Sequence, residues 1–116
     1  MNVQTLAAKT FHDGVDGGDM GALASLSSEQ LNVNLVAWDA DGGVGLHAND
    51  VVDVVLIVLS GTGMLTVNDT CVQLEVGTVA MIPRGATRSV TAVTRLVYVT
   101  VHRARPALMP SKQTAP

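Results

Sequence analysis

Short runs of aliphatic and β-branched residues, each closed by a turn signal, fill most of this sequence and leave little room for helix. The segments LNVNLVAW (Leu31–Trp38), VGLHA (Val44–Ala48), DVVLIVLS (Asp53–Ser60), MLTV (Met64–Val67), CVQLEV (Cys71–Val76), TVAMI (Thr78–Ile82), RSVTAV (Arg88–Val93) and RLVYVTV (Arg95–Val101) follow at short intervals. DADGG (Asp39–Gly43), GTG (Gly61–Gly63) and NDT (Asn68–Thr70) separate them as turns. β-Branched side chains suit a pleated, half-buried surface, and no long segment keeps the spacing of an amphipathic helix. Many short antiparallel strands without an internal repeat predict an all-β sandwich or barrel.

The chain has 116 residues, which points to one domain. Apolar residues make up 47% of it and aromatics only 3%, so the core must be built from Val, Leu, Ile, Met and Ala. The formal net charge of -3 argues against nucleic acid as the main partner, because phosphate binding needs a basic surface. Every acidic residue lies at or before Glu75, and of the seven basic residues only Lys9 precedes it. A fold that interleaves early and late strands lets these two populations pair. Cys71 is the single cysteine, so no intrachain disulfide forms, and a structural thiol is expected rather than a nucleophile. The start MNVQTLAAKTF lacks the pattern of a signal peptide. The longest strictly apolar run, Val54–Leu59, is far shorter than the roughly 20 residues a membrane helix needs. A cytoplasmic protein without membrane partners is the expectation.

The ends differ from the middle. Residues 1–22 read as an N-terminal arm: NVQTLAAKTF (Asn2–Phe11) predicts one or two helical turns with Asn2 as N-cap. HDGVDGGDMG (His12–Gly21) reads as a glycine-rich connector. Residues 23–105 form the β domain. The C-terminal stretch RPALMPSKQTAP, with 106–116 as the tail, has three prolines and no periodicity.

Two motifs narrow the fold. GTVAMIPRG (Gly77–Gly85) is a glycine, five residues, a proline, one residue and a glycine. Upstream, VLSGTG (Val58–Gly63) closes a hydrophobic strand that follows a histidine. Gly77 permits a positive-φ turn, TVAMI crosses one wall, Pro83 ends the strand by removing a ladder donor, and Gly85 lets the chain bend back. Over roughly Leu31 to Arg103 the chain resembles the cupin superfamily in its two sequence boxes. The resemblance implies a double-stranded β-helix, a jelly-roll barrel closed at one end and open at the other.

Metal-binding cupins carry two histidines and a glutamate in the first box and a third histidine in the second. Carried over by position, the first histidine falls on His47, the second on Asn49, the glutamate on Val54 and the last histidine on Arg88. Asn49 is a weak donor for a transition metal, Val54 offers nothing, and a guanidinium has no lone pair to give. Asp53 is one residue from the glutamate position. Alternation turns it outward unless a bulge intervenes. The expectation is therefore a barrel without a cofactor, with a divalent transition metal at His47 as the alternative.

In this registration His47, Asn49 and Arg88 converge inside an apolar barrel lined by Val54, Leu56, Val58 and Met81. The expected function is binding of a small, carboxylate-like ligand, with Arg88 as anchor, His47 as hydrogen-bonding or proton-exchanging group and Asn49 as orienting group. The alternatives are a cupin-type enzyme, an isomerase, lyase or oxygenase using His47 with or without a metal, and a non-catalytic dimeric sensor or interaction module. A plainer arrangement has Arg88 reaching solvent over its packed stem and His47 bonded to Asn49. Val55, Ile57 and Leu59 face away from the interior and need cover, which predicts a homodimer. Trp38 is expected near the rim or an interface, and Tyr98 in a rim hydrogen bond or sheet packing.

Overall fold

The computed structural model describes residues 3–104. One helix, α1 (Ala8–Asp16), precedes nine strands: β1 (Gly21–Ser27), β2 (Leu31–Trp38), β3 (Gly43–Ala48), β4 (Val54–Ser60), β5 (Gly63–Val67), β6 (Thr70–Leu74), β7 (Val79–Ile82), β8 (Thr87–Ala92) and β9 (Leu96–Arg103). They form a five-stranded sheet in the order β1-β2-β9-β4-β7 and a four-stranded sheet in the order β3-β8-β5-β6. Every neighbouring pair is antiparallel. The connections β2–β3, β3–β4, β4–β5, β6–β7, β7–β8 and β8–β9 each pass from one sheet to the other, which wraps the two layers into a jelly roll. None of the helices among the described residues is long and apolar enough to cross a membrane.

The alternation of the strands builds the core between the sheets. Val54, Leu56 and Val58 of β4 point inward with Val36, Leu96 and Tyr98, and meet Leu65, Leu74, Val90 and Ala92 of the facing sheet. Each fully buried aliphatic side chain contributes about 1.5–3 kcal/mol relative to exposure. Glycines mark the corners. Gly77 and Gly85 have φ of 92° and 84°, the positive values their boxes demand. Gly61, at 84°, packs so closely on the Arg95 carbonyl that no Cβ fits.

The arm departs from the expectation. Residues His12 to Asp16 belong to the helix rather than to a connector, while Asn2 lies outside the described residues. The helix runs through Gly14 because it lies close on the sheet: a Cβ there would stand 2.8 Å from Leu23 Cδ1. Its apolar face, with Phe11 and Val15, joins Leu6, Leu23 and Leu59 over Leu35, Ala37 and Val97. Part of the outer sheet surface, Leu59 included, is thus covered by the chain's own N-terminus. A further strand, β1, occupies GALASLS, whose Ala and Ser content gave no strand signal. Pairing with β2 holds it.

The charge partition resolves as pairing at Arg95. Arg95 binds Asp39, 56 positions earlier, at 2.6 Å, and its guanidinium also donates to the carbonyls of Gly14 and Asp19. Cys71 is an exposed free thiol rather than a packed one.

Candidate functional site

The β3–β4 and β7–β8 connections cross between the sheets at the same end of the barrel. Two hydrogen bonds tie them: Gly85 N–H to the Asn49 carbonyl (2.7 Å) and Arg84 N–H to Asp53 Oδ1 (2.8 Å). His47 and Arg88 come from the four-stranded sheet at this end, and Val54 and His102 from the five-stranded sheet.

A bulge aims His47. Val44 pairs with Val90 and His47 with Arg88, so three steps on β3 match two on β8. Without the extra residue, His47 would face away from Val44's side. With it, His47 shares the inward face of Arg88 and Val90. The bulge also sets the ring: His47 Nδ1 lies 2.8 Å from the Gly45 carbonyl, inside the same irregularity. His47 therefore bonds to Gly45 and not to Asn49. Its Nε2 is buried with no hydrogen-bond partner among the described residues.

Asn49 shapes the loop with one end of its amide. Oδ1 accepts the N–H groups of Val51 (2.9 Å) and Val52 (3.3 Å), an Asx turn that leads into β4. Nδ2 is buried and has no hydrogen-bond partner among the described residues. Arg88 is 1% exposed, so it does not reach solvent over its stem. Its Nη2 donates to the Pro83 carbonyl at 3.5 Å, a long bond. Val67 on β5 flanks it on the side opposite His47. All ten acidic residues occupy exposed positions.

Val54 is fully buried, and Asp53 beside it is exposed with its carboxylate on the β7–β8 loop, so no bulge brings Asp53 inward. Met81 needs correction. It is 71% exposed on the outer face, opposite Val55, and the inward residues of β7 are Ala80 and Ile82, which pair with Leu56 and Val54. Of the four positions that hold a metal in metal-binding cupins, only His47 presents a free lone pair. Asn49's oxygen is already engaged, and Arg88 brings fixed positive charge. This donor set does not fit a transition metal, and no group of three His, Cys, Asp or Glu side chains assembles among the described residues.

Several inward polar residues have no counterpart in the sequence reading. Asn32 and Asn34 of β2 pair with His102 and Thr100 of β9, and Asn34 Nδ2 donates to Thr100 Oγ1 at 3.4 Å. His102 is 6% exposed, pairs with Val54, and has Nδ1 2.8 Å from the Arg103 carbonyl. The alternation Asn32, Asn34, Val36, Trp38 and Tyr98, Thr100, His102 is the signal that could have found them. Trp38, half-buried at the end of β2, and the fully buried Tyr98 bond to each other, Nε1 donating to OH at 3.0 Å. Burial pushes the Tyr98 phenol up to about 12, against a smaller downward pull from the Trp38 bond.

This architecture is that of a cupin. No family model matches the sequence, and no curated protein matches it. Solved structures do. NMB1881 from Neisseria meningitidis has a TM-score of 0.70 at 16% identity, covering 87% of this chain and 100% of that one. KdgF from a Halomonas species has a TM-score of 0.65 at 16% identity, covering 74% and 81%. A cupin protein from Bacteroides fragilis has a TM-score of 0.60 at 19% identity, covering 73% and 75%. The chain is a cupin-fold protein.

Proposed function

We propose that this barrel binds a small anionic organic ligand, without a resident metal, through Arg88, His47 and Asn49. One observation carries the reading. Two buried polar nitrogens, His47 Nε2 and Asn49 Nδ2, have no hydrogen-bond partner among the described residues, at the end of the barrel where the Arg88 guanidinium is buried. Native interiors rarely leave buried polar atoms unmatched. A carboxylate offers acceptors to the guanidinium and the amide, and Val54, Leu56 and Val90 give its hydrocarbon body apolar contact. Titration calorimetry and thermal unfolding with a series of small organic acids test this. An acid at 100 times its Kd stabilises the fold by about 2.7 kcal/mol, and Arg88→Met removes the effect. Failure of every acid to stabilise the wild-type protein overturns the reading.

A second reading is a proton-transfer enzyme. It is favoured by the Gly45 bond, which holds a proton on His47 Nδ1 and leaves Nε2 available as a base in the neutral ring. Turnover that disappears in His47→Ala with binding retained would establish it.

The protein also pairs with a second copy of itself through the outer face of the five-stranded sheet, beyond the part that α1 covers. Val79 (66% exposed) and Met81 (71%) lie beside the half-buried Val55, Ile57 and Val101, on the edge strand β7 and its neighbours. Met81→Lys shifts the mass measured by light scattering toward the monomer. A wild-type protein already monomeric at high concentration overturns the pairing.

A further inference from the structure

We propose that the barrel selects carboxylates that carry a hydroxyl group close to the acid. The inference rests on the anion-binding reading above and deepens it, because backbone bonds fix the hydrogen-bonding polarity of His47 and Asn49.

Asn49 Oδ1 receives two backbone N–H donors, from Val51 and Val52. Exchanging the amide's oxygen and nitrogen would set an NH2 group against both donors, so the assignment is unambiguous. The buried Nδ2 is therefore a donor. His47 Nδ1 stands 2.8 Å from the Gly45 carbonyl, which can only accept. The ring proton sits on Nδ1, and in the neutral ring Nε2 is a bare acceptor. Arg88 has donors only. Asn49 Nδ2 thus asks for an acceptor and His47 Nε2 for a donor, at the end of the barrel where Arg88 brings fixed positive charge.

A plain carboxylate matches Asn49 Nδ2 and the positive charge of Arg88 and fails His47 Nε2. Its oxygens are acceptors, and its hydrocarbon body has nothing to give Nε2, which stays buried and unmatched. A hydroxyl on the same small molecule donates to Nε2 and completes the set. An ammonium group would also donate, but it would bring a second positive charge into a barrel end that already holds the buried Arg88 guanidinium. The chemistry therefore points to a hydroxy acid and away from an amino acid or a simple fatty acid. Val54, Leu56 and Val90 belong to the aliphatic core of the same barrel, which suits a short hydrocarbon body.

Calorimetry on the full chain with matched pairs, glycolate against acetate and lactate against propionate, with alanine as the amino analogue of lactate, tests the selection. The hydroxy acid of each pair binds about tenfold tighter than its deoxy partner, the scale of one buried hydrogen bond. Alanine binds no better than propionate. In His47→Ala the two members of each pair bind alike. Nitrogen NMR of the wild-type protein labelled in its histidine rings provides a readout independent of any variant: the His47 Nε2 resonance moves on adding lactate and stays in place on adding propionate. If acids bind but hydroxy and deoxy members bind equally, or lactate leaves the Nε2 resonance unmoved, hydroxyl selection is wrong and the anion site stands. If none of the acids binds, the anion site itself falls and takes this inference with it.

Discussion

Arg95→Ala should loosen the N-terminal arm from the barrel, and the size of the effect separates two accounts of what Arg95 does. Helix α1 has no basic residue in its last turn, and of its final carbonyls Asp13 is met by the N–H of Gly17. The Gly14 carbonyl is met by Arg95, 81 positions later, through Nε (2.9 Å) and Nη2 (2.7 Å). Nη2 also reaches the Asp19 carbonyl at 2.7 Å, in the link between α1 and β1. A cation at a helix C-terminus both satisfies orphan carbonyls and opposes the helix dipole. Hydrogen bonds from a charged donor contribute about 1.5–3 kcal/mol each where they are shielded, and the Gly14 residue is buried. The Asp39 pair is different: the Asp39 side chain is 52% exposed, so this ion pair is worth at most about 1 kcal/mol. Arg95→Ala should therefore cost about 2–4 kcal/mol, allowing for overlap between bonds that share one guanidinium. Asp39→Asn should cost less than about 1 kcal/mol. Arg95→Lys falls between them, because a single ammonium cannot span the Gly14 carbonyl and Asp39 as a planar fork does. Urea unfolding gives the global stabilities, and amide exchange in α1 shows whether the arm opens by itself. Arg95→Ala within about 0.5 kcal/mol of wild type, the range of an ordinary surface change, would refute the capping argument. So would an Asp39→Asn loss equal to that of Arg95→Ala.

Three other outcomes follow from the packing. Leu56→Ala, at a fully buried position in the centre of β4, should lose about 2–5 kcal/mol in urea unfolding. Gly61→Ala should be severely destabilised or insoluble, since φ is 84° and the Arg95 carbonyl occupies the Cβ position, whereas Gly18→Ala, with open space around it, should match wild type. Tyr98 is the only tyrosine, so ultraviolet titration of phenolate reads it alone. The native protein should titrate near 12 rather than 10. In the unfolded chain the phenol ionises near 10, so stability is unchanged below pH 10 and falls as pH rises from 10 toward 12.

Strand positions were largely legible. LNVNLVAW is β2 from end to end, and the glycine-proline-glycine box sits where its backbone requirements place it. What escaped had weak local signals. GALASLS is a strand because β2 and the helix hold it, not because Ala and Ser favour strands. The helix continues through His12–Asp16 because Gly14 lets it lie close on Leu23 and because Arg95 meets its end, and both causes come from elsewhere in the chain. Met81 shows the limit of alternation. TVAMI is apolar on both faces, so its pattern fits either Val79 and Met81 inward or Ala80 and Ile82 inward. Pairing with Val54 and Leu56 chooses the second. His102 carries no motif signal, since it lies near the end of an apolar strand and belongs to neither box, yet its partner across the ladder is Val54.

Residue type, alternation and spacing sufficed for the class of fold, the order of strands from β2 onward and the turn glycines. Those features are local: they depend on residue type, on period-two alternation and on spacing within one turn. Contacts between distant segments set which face each ambiguous residue takes, where the arm packs and how His47 and Asn49 present their nitrogens. A strand carries its face pattern only up to a slip of one residue, and the slip is settled by its neighbours. The bulge between Val44 and His47 is such a slip, made within a single strand. It turns the histidine toward the arginine and, through the Gly45 carbonyl, sets which of its nitrogens a ligand would meet.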